Sequence, residues 1–148
     1  MNLSLLVKRR PTLYKKIFSD EASKQEFKFD IEPNIMVNCD EYYITQAIDN
    51  LIRNAVSYGK GLPITISLHK TKDGMVKFTI RDSGVGIPRE ELMEIFGAFT
   101  TSSRTKNPAG GRGIGLSLCE KVIQLHKGEI RAESDGVSGS SFYFTLPI

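Results

Sequence analysis

Asn50 and Asn54 stand four positions apart, the spacing that sets two side chains side by side on successive turns of a helix. A carboxamide oxygen is a hard, neutral acceptor suited to Mg²⁺, which takes few protein ligands and fills its shell with water and phosphate oxygens. The same pair also suits the polar margin of any amphipathic helix. A second cluster is Asp82-Ser83-Gly84-Val85-Gly86-Ile87-Pro88. An ionised Asp is acceptor-only and could take a hydrogen bond from an exocyclic amine such as that of adenine. Gly84 and Gly86 permit positive φ and close backbone approach. On structural grounds alone the segment is a strand-to-helix turn. The third cluster, Gly110-Gly111-Arg112-Gly113-Ile114-Gly115-Leu116, exposes backbone N–H groups where a helix begins, a natural phosphate cradle. It also fits a flexible loop ending in a helix cap. A polar loop precedes it rather than a strand, so it is not the dinucleotide fingerprint, and it lacks the Gly-Lys-Ser/Thr of a P-loop.

The elements that must position these residues follow from periodicity. Apolar residues at Ile44, Ala47, Ile48, Leu51, Ile52, Ala55 and Val56 repeat at i, i+3, i+4, i+7, i+8, which predicts an amphipathic helix. Asn50 and Asn54 lie at one margin of its apolar stripe. Asn38 with Glu41 offers a capping box, and Gly59 with Gly61 a stop. Phe27 to Ile31 alternates as a half-buried strand. Ile64, Ile66 and Leu68, then Val76, Phe78 and Ile80, alternate with polar residues on either side of Asp73-Gly74, a hairpin signal. Pro88 to Phe96 reads as a short helix, residues 100–113 as a long polar loop, and Ile114 to His126 as a helix that Gly128 ends. Ile130 with Ala132, and Phe142, Phe144 and Leu146, give two closing strands. Every strand alternates, whereas a parallel sheet buried on both faces would show continuous apolar runs. The fold expected is therefore α/β (α+β), a two-layer sandwich with a mixed, mostly antiparallel sheet and helices on one face.

The whole chain bounds these readings. Its 148 residues make one domain large enough for its own core. Composition is globular, with 40% hydrophobic and 25% charged residues, not disordered. Twenty basic against 17 acidic residues leave +3, too mild to imply a nucleic-acid partner, and Lys8-Arg9-Arg10 and Lys15-Lys16 are short clusters. There is no apolar run of membrane length and no signal-peptide pattern. Cys39 and Cys119 form neither a metal-spaced pair nor a disulfide framework, which points to a reducing, cytoplasmic setting.

The paired-Asn helix, Asp-x-Gly-x-Gly and Gly-x-Gly-x-Gly, in this order among one-sided strands, resemble the ATP-binding catalytic domain of sensor histidine kinases, within the wider GHKL superfamily and its Bergerat-type ATP fold. The similarity runs over residues 30–148. Asn50-Leu51-Ile52-Arg53-Asn54-Ala55 is similar to the N box, Asp82 to Pro88 to the first glycine box, and Gly111 to Leu116 to the second. Phe96-Gly97-Ala98-Phe99 sits where the family has its F box, and Leu125-His126-Lys127-Gly128 resembles the segment after the last helix. The resemblance implies that Asn54 ligates Mg²⁺ between the ATP phosphates, supported by Asn50. It implies that Asp82, in a turn with Gly84, Gly86 and Ile87, accepts from the adenine amine, with Tyr58 beside the base. Phe99 belongs to the F box; Gly111, Arg112, Gly113, Ile114, Gly115 and Leu116 hold the triphosphate; residues 97–112 form an ATP lid. Arg112 could also reach a γ-phosphate.

Family members that activate water, and the serine-kinase members, carry a Glu one turn before the metal-binding Asn. Asn50 occupies that position and cannot act as a general base, so ATP is held but water is not activated. The resemblance therefore implies phosphotransfer to a histidine on a separate dimerisation domain, from which a response regulator takes the phosphoryl group. His69 and His126 lack the acceptor pattern and read as surface histidines. Residues 1–24 are expected to be the tail of an upstream dimerisation helix and its linker, and residues 25–148 the catalytic domain, of a parent open to membrane anchoring. Two departures stand out: Ser57 occupies a position usually Lys or Arg, for which Lys60 or Arg53 could substitute, and the F box is sparse. They keep a regulatory nucleotide-binding module as one alternative; a stand-alone ATPase or serine kinase is the other.

Overall fold

A computed structural model describes residues 1–17, 25–59, 61–84, 86–87, 112–134 and 138–148. Its elements are α1 (Leu3–Ile17), β1 (Phe27–Ile31), α2 (Glu41–Gly59), β2 (Ile64–Lys70), β3 (Met75–Asp82), α3 (Arg112–Leu125), β4 (Glu129–Ser134) and β5 (Ser140–Pro147). The five strands form one sheet in the order β1-β2-β3-β5-β4. β1 runs parallel to β2, joined through α2 as a parallel pair requires, and every other neighbour is antiparallel. This is the mixed, mostly antiparallel sheet that the alternation implies.

One face of the sheet is apolar because the strands alternate in phase. Ile66 lies opposite Ile80, Ile80 opposite Phe142, and Phe142 opposite Ala132. One step along, Phe78 faces Phe144, with ring centroids 4.8 Å apart. Ile44, Ile48, Leu51 and Ile52 of α2 and Leu116, Cys119 and Ile123 of α3 complete the core from the helical layer. β1 is the exception to clean alternation: Phe29 shares the inward parity yet remains exposed, because an edge strand has a neighbour on one side only.

Three local expectations are corrected. The start of α2 is capped by Asp40, whose Oδ1 accepts the Tyr43 N–H at 3.2 Å, and not by Asn38. The end of α3 is turned by Lys127, a non-glycine residue at φ 64°. Its N–H donates to the Gln124 carbonyl (2.9 Å) and the Gly128 N–H to the Ile123 carbonyl (2.9 Å), the paired bonds of a Schellman motif. Gly128 is needed for a different reason, since a Cβ there would lie 1.8 Å from the Thr145 carbonyl oxygen. His126, expected at the surface, bridges two helices: Nε2 accepts the Asp40 N–H at 3.0 Å, which leaves the proton on Nδ1 to donate to the Val122 carbonyl at 2.8 Å. His69 is partly exposed, with Nε2 3.1 Å from Asp30 Oδ2.

Where a lead-in was expected, α1 is packed into the domain. Leu3, Leu6 and Val7, at i, i+3 and i+4, belong to the same buried cluster as α2. Ser4 Oγ donates to the Glu32 carbonyl (2.6 Å) and accepts the Ile35 N–H (3.0 Å). Arg10 forms a two-pronged pair with Asp49 of α2, at 2.9 and 2.6 Å. The core thus extends well before residue 25. The expected short helix over Pro88 to Phe96, the F box with Phe99, and most of the 97–112 segment, Gly111 included, lie outside the described residues.

Candidate functional site

The strand alternation that builds the core also places a carboxylate at its end. Val76, Phe78, Ile80 and Asp82 share one parity, so Asp82 occupies the last inward position of β3 and is only 1% exposed. Directly across β5 its partner is Ser140, whose own partner across β4 is Ser134. Three polar side chains therefore form one row at the end of an otherwise apolar face. The register makes the contact: Ser140 Oγ donates to Asp82 Oδ2 at 2.7 Å. Asp82 Oδ1 accepts the Gly84 N–H at 2.9 Å. Burial pushes the Asp82 carboxyl above its ordinary value, and the donors at Gly84 and Ser140 pull the other way without cancelling it. An inward carboxylate with both oxygens fixed is a shaped acceptor.

The two glycines of this turn do different work. A Cβ on Gly84 would sit 1.7 Å from the Tyr58 carbonyl oxygen, so Gly84 lets the turn press on the last residues of α2. Gly86 adopts φ 74°, where only glycine is unstrained. Ile87 follows, buried, its N–H donating to Ser134 Oγ at 2.9 Å. Tyr58 is buried under the same turn.

Asn54 lies one helical turn before Tyr58. Instead of sitting at the margin of the apolar stripe, it is 2% exposed, and neither atom of its carboxamide has a hydrogen-bond partner among the described residues. A buried amide left open in this way costs roughly 1–3 kcal/mol, which a structural role does not explain. Asn50 is half-buried and turns toward α3, where it hydrogen-bonds to the Cys119 thiol. Cys119 also donates to the Ala47 carbonyl at 3.4 Å, and burial pushes its thiol up to about 12, so it is an inert packing group.

Arg112, Gly113, Ile114 and Gly115 form the first turn of α3, and Leu116 is buried in the core. Sequence and structure agree that the glycine-rich segment opens a helix. Ser140 and Ser134 were missed. The signal for both was available, because extending the inward parity of Phe142 and Phe144 back to Ser140, and of Ile130 and Ala132 on to Ser134, puts them in the row with Asp82.

Comparison with known proteins agrees with this architecture. Residues 39–148 match the family model described as histidine kinase-, DNA gyrase B-, and HSP90-like ATPase. The adaptive-response sensory kinase SasA of Synechococcus sp. (strain JA-3-3Ab) is 39% identical over 132 residues, covering 86% of this chain and 34% of that protein. SasA of Crocosphaera subtropica is 43% identical over 114 residues, covering 76% and 29%. The chain thus spans about a third of the length of these curated relatives. Among solved structures, the catalytic domain of the histidine kinase ThkA superposes with a TM-score of 0.81 at 28% identity, covering 99% of this chain and 94% of that one. The mycobacterial sensor histidine kinase MprB shares the fold at a TM-score of 0.86 and 23% identity, with 99% and 96% covered. With a buried carboxylate turn set against an asparagine-bearing helix, in a fold shared with these kinases, the chain belongs to the histidine kinase-, DNA gyrase B- and HSP90-like ATPase family, as a catalytic domain of the sensor histidine kinase kind.

Proposed function

We propose that the domain binds ATP with Mg²⁺ and presents its γ-phosphoryl group to a histidine on a dimerisation domain of the parent kinase, from which a response regulator takes it. The observation that carries this reading is Asn54, a buried amide with no partner among the described residues, beside a turn whose carboxylate is already oriented. Mg²⁺ fits the residues present: Asn54 Oδ1 supplies one hard, neutral acceptor and phosphate oxygens supply others, the usual sparse protein shell for this ion. Bound there, it would neutralise charge on the phosphates.

The chain's own residues do the rest. Asp82 accepts from the adenine amine. The Gly84–Ile87 turn and Tyr58 frame the base, and Asn50 supports the helix face next to Asn54. The segment from Gly111 to Leu116, with Arg112, holds the triphosphate at the start of α3, and Phe99 belongs to the covering segment. Asn50, one turn before Asn54, is an amide and cannot deprotonate water. Catalysis is then positioning and charge neutralisation toward an acceptor supplied elsewhere. ShkA, a structural neighbour solved in complex with AMPPNP (TM-score 0.81, 21% identity), supports an adenine nucleotide as ligand. A cytoplasmic setting fits the two unpaired cysteines, and no helix among the described residues is long and apolar enough to cross a membrane.

Calorimetric titration with ATP and GTP, with and without Mg²⁺, tests the reading. ATP is expected to bind in preference to GTP, more tightly with Mg²⁺, and Asn54→Asp and Asp82→Asn are each expected to abolish binding in a folded domain. Unchanged ATP affinity in both variants would remove the assignment.

A further inference from the structure

The turn that begins at Asp82 is held at both ends by the two residues that flank the β4–β5 connection, Ser134 and Gly139. At its entry, Gly139 of the β4–β5 connection packs flat on the β3 backbone. A Cβ on Gly139 would lie 2.2 Å from the Asp82 carbonyl oxygen and 2.8 Å from Ser83 Cα, and its φ of 118° suits glycine alone. At its exit, Ile87 donates its N–H to Ser134 Oγ at 2.9 Å. Ser134 Oγ in turn donates to the Gly139 carbonyl at 2.7 Å. A carbonyl only accepts and an amide N–H only donates, so the hydroxyl proton is directed at Gly139 and a lone pair at Ile87. One side chain thus connects the exit of the turn to the loop that presses on its entry. Ser134 reaches this position because it ends the row Asp82, Ser140, Ser134 across the sheet.

We propose that Ser134 is a positioning residue for adenine recognition. By bridging Ile87 and Gly139 it fixes the span of the turn that carries Asp82, and so decides how well the site separates adenine from other bases. The proposal rests on the reading of Asp82 as the adenine acceptor. Ser134 does not touch the base itself; it acts through Ile87. Replacing Ser134 with Ala leaves the buried Ile87 N–H without its acceptor and frees the exit of the turn, while the Asp82–Ser140 bond remains. Ser134→Thr keeps a hydroxyl on the same bond.

The test is calorimetry on the full chain with Mg·ATP and Mg·GTP for the unvaried protein, Ser134→Ala and Ser134→Thr, beside thermal melts of each. Ser134→Ala is expected to weaken ATP about tenfold, the scale of one buried donor losing its acceptor, and to leave GTP nearly unchanged, so the ATP/GTP ratio falls. Ser134→Thr is expected to restore the ratio. A Ser134→Ala protein that melts lower but keeps its ATP/GTP ratio would overturn the proposal, since that marks a purely structural hydroxyl. If Ser134→Ala does not fold, the ratio for Ser134→Thr and amide hydrogen exchange at Ile87 in the unvaried protein decide. Slow exchange with a retained ratio supports the proposal; exchange at the rate of an open turn overturns it. An unvaried chain that does not prefer ATP defeats the underlying reading and this proposal with it, whereas a clear preference unaffected by Ser134→Ala defeats this proposal alone.

Discussion

A carboxylate in an apolar layer pays for its place with a perturbed titration, and at Asp82 the direction can be used. Burial is the largest influence and raises its pKa above 3.8, while the Gly84 and Ser140 hydrogen bonds favour the ionised form and offset part of the rise. A raised carboxyl pKa means that the folded state holds the proton more tightly than the unfolded chain. In the window between 3.8 and the raised value, this group's contribution to stability is therefore lost as pH rises. Nucleotide binding moves the opposite way, because the ionised carboxylate is acceptor-only and the stronger acceptor for an amine. ATP affinity is expected to fall on acidification with a midpoint above 3.8, read by titration across pH; a midpoint at or below that value would dissociate Asp82 from base recognition. Asn54 makes the same trade without a proton. Replacing its amide, unpartnered among the described residues, with an apolar side chain of the same branching, Asn54→Leu, is expected to raise stability by about 1 kcal/mol and to abolish ATP binding. A loss of stability on denaturant unfolding would mean that the amide has a structural partner after all.

At the scale of elements, what was legible is what repeats. The 3.6-residue pattern of Ile44 to Val56 and the two-residue patterns around Phe78 and Phe144 carry the helix, the sheet and its one-sided burial, because each reports on a single face without reference to other segments. What escaped the sequence depends on a neighbour far along the chain. Gly128 reads as the left-handed end of α3, since glycine is the usual residue there, yet Lys127 takes that conformation and Gly128 is held against Thr145 on β5. Ser140 and Ser134 became site residues only once the register placed them beside Asp82, and Asn54 proved buried because α2 is covered on more sides than its own stripe reveals. The Gly128 case yields a direct test. A methyl group there would overlap a backbone carbonyl, so Gly128→Ala is expected to cost more than about 2 kcal/mol, although alanine is the better residue by helix propensity. Lys127→Gly, by contrast, relieves a left-handed residue that ordinarily costs roughly 1 kcal/mol and is expected to stabilise slightly. Urea midpoints of the two variants, one shifted down and the other up, would separate the roles; a Gly128→Ala protein as stable as its parent would contradict the packing described.

For the whole molecule, the question is where the folding unit begins. The family model matches from residue 39, and the charged, weakly periodic segment at the start of the sequence reads naturally as a connector. Physically, however, Leu3 and Val7 have no exposed surface and Leu6 has 3%, in one cluster with Ile44 and Ile48 of α2. The Arg10–Asp49 pair then fixes α1 to α2 at the residue preceding Asn50. With 25% and 28% of these side chains exposed, the pair contributes modestly beside the apolar contact. If α1 is part of the cooperative unit, emptying its inward face must destabilise everything built on α2, the Asn54 site included. Leu6→Ala is accordingly expected to lower stability by about 2–5 kcal/mol, to move the urea midpoint down with the m-value unchanged, and to weaken ATP binding only as the folded fraction falls. Were α1 a separable lead-in, the midpoint would stay where it is, and a second, earlier transition confined to the helix would appear in its place.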